Sequence, residues 1–74
     1  MNPKIPACRP KKVLRKLKKA GFQVHHTRGS HVILKNLDGK IRITLPLHNK
    51  DLKIKTLLSV LRQANLSLEQ FLEL

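Results

Sequence analysis

Apolar residues recur along this chain with two different periods, and the switches between them mark out its elements. Val13, Leu14, Leu17 and Ala20 return at helical spacing, with Arg15, Lys16, Lys18 and Lys19 mainly on the other side. Pro10 suits the first helical position, where its missing N–H costs nothing. Cations in the last turn complement the negative end of the helix dipole. Gly21 then stops the helix in a left-handed cap, and Phe22 follows where it can touch Leu17.

From residue 22 the pattern becomes alternation. Residues 22–28 read as a strand with Phe22, Val24 and His26 on one side. Gly29-Ser30 is a turn, and residues 31–36 form a second strand. Asp38-Gly39 is a strong hairpin signal. It leads to a third strand, 40–45, with Ile41, Ile43 and Leu45 facing the core and Lys40, Arg42 and Thr44 facing out. Pro46 ends that strand, having no N–H for the ladder. Helical spacing returns at Ile54, Leu57, Leu58, Leu61 and Ala64, with Asn65 in the left-handed cap position. Ser67-Leu68-Glu69-Gln70 is a capping box, and Leu66 and Phe71 are spaced as a hydrophobic staple across it. A short helix over about 68–73 follows. The fold class is therefore α+β, ordered α-β-β-β-α with a short extra C-terminal helix. Three meandering strands can give one face to both long helices and leave the other for a ligand.

Length and charge narrow the picture. Seventy-four residues allow one domain at most, read as a flexible basic arm (1–9) and a single domain (10–74). One cysteine excludes an internal disulfide, fits a reducing, cytoplasmic setting, and is expected to be an inert thiol near a loose N-terminus. No apolar run is long enough for a membrane span, and the first ten residues lack the apolar stretch of a secretory signal. The net charge is +12, and it is uneven: residues 1–37 hold ten basic residues and no acid. That imbalance points to a polyanion, nucleic acid ahead of an anionic membrane, since the first helix lacks interfacial aromatic anchors.

The runs LRKLKKAGF, RGSHVIL, PLH at 46–48 and LRQANLSLEQFL, in that order, resemble the HicA (YcfA-like) toxins from about residue 13 to the end. The most specific piece is Gly29-Ser30-His31 after a helix ending in Gly-Phe. The resemblance implies a fold similar to a double-stranded-RNA-binding domain, mRNA cleavage independent of the ribosome, neutralisation by a HicB antitoxin, and catalysis by the histidine of the Gly-Ser-His motif, here His31. Two positions depart from the family pattern: Lys55 stands before Thr56-Leu57 where Gly is frequent, and Asn65 ends the second helix where Gly is frequent.

Cutting RNA without a metal needs a base for the 2′-OH, an acid for the departing 5′ oxygen, and cations for the phosphoryl oxygens. Histidine suits the proton steps. With Val32 and Leu34 facing the core, His31 and Lys35 face the open side, and Ile33 shares it as an exception to the alternation. A strand-edge histidine on its own is more often a surface residue, so the family resemblance carries the assignment. His48 is the candidate second acid/base group, with a solvated loop histidine as the alternative. His25 and His26, adjacent in a regular strand, should point to opposite faces, His26 half-buried and His25 touching solvent or RNA. No metal site and no cofactor is expected: the histidines and cysteine match no zinc spacing, and Asp38, Asp51, Glu69 and Glu73 are scattered. Arg28, Gly29, Ser30, Lys35 and Arg42 are candidate phosphate contacts, with Lys11, Lys12, Lys16 and Lys19 holding RNA more distantly. Phe22 and Phe71 read as core, which argues against base stacking on an aromatic platform. The expected protein is an endoribonuclease, a monomer on its own, that meets mRNA and a HicB-type antitoxin. The alternatives are a non-catalytic double-stranded-RNA-binding module and a basic subunit that mainly holds an acidic partner.

Overall fold

The computed structural model describes residues 8–48 and 50–74. Its elements are α1 (Pro10–Lys19), β1 (Gln23–Arg28), β2 (His31–Lys35), β3 (Arg42–Pro46), α2 (Ile54–Ala64) and α3 (Leu68–Leu72). The strands form one antiparallel sheet in the order β1-β2-β3. This is the α-β-β-β-α arrangement with a short C-terminal helix that the hydrophobic pattern predicts. Most of the expected arm, residues 1–7, lies outside the described residues.

The helix ends follow from local chemistry. Pro10 occupies the first turn of α1. Gly21 has φ 100°, and the Phe22 N–H donates to the Leu17 carbonyl at 3.1 Å, closing the last turn. Asn65 ends α2 at φ 57°, so the departure from glycine there keeps the left-handed cap. Ser67 and Gln70 form the reciprocal capping box: the Gln70 N–H donates to Ser67 Oγ at 3.0 Å and the Ser67 N–H to Gln70 Oε1 at 2.9 Å.

Val32 and Leu34 of β2 and Ile43 and Leu45 of β3 point to one face of the sheet. There they meet Val13 and Leu17 of α1, Leu57, Val60, Leu61 and Ala64 of α2, and Phe71 of α3. Burial of each large apolar side chain in this layer contributes about 1.5–3 kcal/mol. Cys8 belongs to this core rather than to a loose end. It is buried, and its carbonyl accepts from the Leu52 N–H at 2.8 Å, tying the entry to α1 against the approach to α2.

Lys16 also has a structural place. Its Nζ donates to the Phe71 carbonyl at 3.3 Å and stands 4.8 Å from the centre of the Phe71 ring. It clamps α3 from α1, which combines a cation–π contact with a second donor to the Phe71 carbonyl, which also accepts from the Leu74 N–H at 3.2 Å. The free edge of β3 is blunted similarly, because the Thr44 N–H donates to Gln63 Oε1 of α2 at 3.0 Å.

Both long helices lie over β3 rather than β1. All six residues of β1 are consequently exposed. The β2–β3 connection is longer than a two-residue turn. Gly39 donates to the Asn36 carbonyl at 2.9 Å, and Asn36 pairs with Ile41 through backbone and side chain, so β3 begins at Arg42 instead of residue 40.

Candidate functional site

The sheet face turned away from the helices is set by register. Arg28 pairs with His31, His26 with Ile33, and Gln23 with Lys35; across the other ladder, His31 pairs with Pro46, Ile33 with Thr44, and Lys35 with Arg42. Paired residues share a face. The open face therefore carries Arg28, His31, Lys35 and Arg42 together, with no carboxylate among these strand positions. Ile33 sits at its centre and is only 5% exposed, although it lies opposite the core. As the middle residue of the central strand it is walled by neighbours on both sides, which resolves the break in alternation.

At one end stands His31. The β1–β2 hairpin turns through Gly29 at φ 60° and Ser30, the pattern of a tight turn with glycine at its first central position. This turn leaves His31 exposed as the first residue of β2. The Leu47 N–H donates to the Ser30 carbonyl at 2.6 Å, which draws the 46–48 segment alongside the turn. Leu47 packs against the core, so by alternation Pro46 and His48 fall on the side of His31. His48 is exposed, and its Nδ1 accepts from the Lys50 N–H at 3.4 Å, which leaves Nε2 as the outward nitrogen. Arg28, Gly29, Ser30, His31 and His48 are thus gathered at one corner. Lys35 and Arg42 lie on the same face toward the other end.

Other candidates are placed elsewhere. Lys11, Lys12 and Lys19 are exposed on α1, in the layer behind the sheet, and Lys16 is engaged with Phe71. Asp38 lies in the β2–β3 loop, where it accepts from the Lys40 N–H at 2.8 Å. Asp51 precedes α2 and faces Arg9 at 3.9 Å, and Glu69 and Glu73 are at α3. No group of three histidine, cysteine, aspartate or glutamate residues is arranged to hold a metal among the described residues.

His25 and His26 do not sit as neighbours in a regular strand. The β1–β2 register shifts between Val24 and His26, a β-bulge in which His25 is the extra residue. His26 therefore shares the open face with Ile33, while Val24 pairs with Leu34. The single strand side expected for Phe22, Val24 and His26 does not exist, and His26 is exposed rather than half-buried. Nor do the two imidazoles point apart. Their Nδ1 atoms lie 2.7 Å from each other and the rings meet edge to face, with centroids 4.9 Å apart. The Lys35 ammonium is the main cause holding the His25 imidazole below the usual histidine range, with desolvation, His26 and Arg42 adding to it.

Register arithmetic carries the signal for this bulge. Regular pairing outward from a two-residue turn would set His25 against Leu34 and Val24 against Lys35. That would turn an imidazole to the core side and a valine to the wet side. One extra residue exchanges them.

The class this defines is a small, basic α-β-β-β-α domain whose helices cover one sheet face and whose other face presents histidine and arginine around a glycine turn. Residues 10–66 match the family described as HicA toxin of bacterial toxin-antitoxin systems, a span that takes in α1, the whole sheet and α2. The chain belongs to this family, known for mRNA interferase activity, and is on the toxin side of such a system. Curated protein sequences give no match to it. No helix among the described residues is long and apolar enough to cross a membrane.

Proposed function

We propose that this protein is a metal-independent endoribonuclease that cleaves mRNA, with His31 as its catalytic residue. The observation that carries the reading is the exposed His31 imidazole at a glycine turn, paired with Arg28 on a cationic sheet face. His31 takes the proton of a ribose 2′-OH as that oxygen attacks the adjacent phosphorus. The bond from phosphorus to the 5′ oxygen breaks, and His48 returns a proton to the departing oxygen. Arg28 and the backbone of Gly29-Ser30 stabilise the charge that develops on the phosphoryl oxygens. The products are a 2′,3′-cyclic phosphate and a 5′-hydroxyl. Lys35 and Arg42 hold phosphates further along the face, while Lys12 and Lys19 add long-range attraction. The scatter of the four carboxylates supports proton chemistry on histidine over a two-metal site.

The partner in the cytoplasm is a HicB-type antitoxin that masks the same positive face, giving a salt-sensitive complex in which the corner around His31 is covered. The test is incubation of the purified protein with single-stranded and duplex RNA in EDTA. Fragments ending in cyclic phosphate are expected. Binding to duplex with no fragments from either RNA would favour a non-catalytic double-stranded-RNA-binding module instead.

A further inference from the structure

A second site lies on the open face, away from the corner of His31. We infer that His25 and His26 form a proton-sharing pair that grips a phosphate of the bound RNA strand, taking up a proton as it does so. The inference rests on the reading of the protein as an RNA-binding enzyme and names a contact that reading does not use.

Three observations support it. The Nδ1–Nδ1 distance of 2.7 Å is a hydrogen-bond length, so one ring donates its Nδ1 proton and the other accepts it. The bulge turns both exposed imidazoles to the side that carries Lys35 and Arg42. The pair sits about two strand residues from His31, roughly 7 Å along the sheet, a step comparable to that between successive phosphates of an extended strand.

The proton count makes the pair a switch in hydrogen bonding. When both rings are neutral, the donor ring has a bare Nε2 and the acceptor ring carries its proton at Nε2. The outward nitrogens are then one acceptor and one donor, a poor match for a phosphate. One added proton goes to the bare Nε2. Both outward nitrogens become donors, and the pair carries a single positive charge. The Nδ1 hydrogen bond is kept. A phosphodiester accepts both donors and favours this state.

The groups facing the pair define its pH behaviour. Lys35 on β2, first, and Arg42 on β3 oppose the added proton in the unbound protein and lower the His25 imidazole below the usual histidine range. Asp38, in the loop that borders His25, is already accepting from the Lys40 N–H. A bound phosphate offsets the cations and draws the proton in. Affinity therefore rises as pH falls through the histidine range.

The experiment uses a short 2′-O-methyl oligoribonucleotide, which keeps the phosphates but lacks the hydroxyl needed for cleavage. Calorimetric titration at about pH 6.5 in two buffers of different ionisation enthalpy counts the protons taken up. The wild type is expected to take up about one proton more than the His25→Gln, His26→Gln double variant. The variant should bind several-fold more weakly near pH 6 and equally near pH 8, with its thermal midpoint unchanged because both side chains are exposed. Equal proton uptake by the two proteins, or pH profiles that superimpose, would overturn the inference while leaving RNA cleavage at His31 standing. Failure of the wild type to bind the oligonucleotide at any pH would instead remove the RNA reading itself, and this inference with it.

Discussion

The two faces of the sheet share one backbone and meet opposite demands. On the helix side Val32, Leu34, Ile43 and Leu45 are buried, and their neighbours from three helices leave no polar group among them. On the other side Arg28, His31 and Arg42 lie in water on a shared face, Arg28 in register with His31 and Arg42 with Lys35 toward the far end. In a chain this short one apolar layer must supply most of the stability. The open face is thereby free to gather like charges that add nothing to folding. Stability and chemistry are separated by the alternation of a strand, residue by residue.

That separation can be challenged by substitutions on each side. Leu34→Ala removes a side chain from the centre of the apolar layer and should cost about 2–5 kcal/mol. A core of this size supplies only about 3–5 kcal/mol, so the variant should be largely unfolded at room temperature by circular dichroism. Ser67→Ala breaks the capping box of α3 and should cost about 1 kcal/mol, seen as a fall of roughly 4–8 °C in the thermal midpoint. Lys16→Gln loses the contact with the Phe71 ring and should cost about 0.5–1 kcal/mol. The same variant should leave the salt dependence of RNA binding unchanged, which separates a structural lysine from a phosphate contact. Arg28→Gln, Lys35→Gln and Arg42→Gln should each change stability by no more than about 0.5 kcal/mol. Each should lower the slope of log affinity against log salt by about one. A destabilised Arg42→Gln, or an unchanged slope for all three, would break the division between the faces.

The same division explains what could be read from the chain. On β2 and β3 the hydrophobic alternation is anchored by buried residues, so the core face, the open face and the exposure of His31 were legible. The helix ends were legible too, because Gly21, Asn65 and the Ser67–Gln70 box act within a few residues of sequence. β1 was not, because no helix covers it. Val24 is 42% exposed even though it pairs on the core side, and a strand without a buried face has little to announce its register. Only the count back from the Gly29-Ser30 turn marks the bulge at His25, and the contact between the two imidazoles has no mark in the sequence. Cys8 and Lys16 were obscured differently. Each gains its role from a partner more than forty residues away, Leu52 for one and Phe71 for the other. Such long-range contacts leave no periodic trace.

The most direct test of the account is the rate at which His31→Ala cuts RNA in EDTA, measured beside its affinity for an uncleavable 2′-O-methyl oligoribonucleotide. An exposed proton-transfer residue predicts a fall in cleavage of at least about 100-fold, with the fold and the affinity nearly unchanged. Cleavage by the variant at the wild-type rate would contradict it.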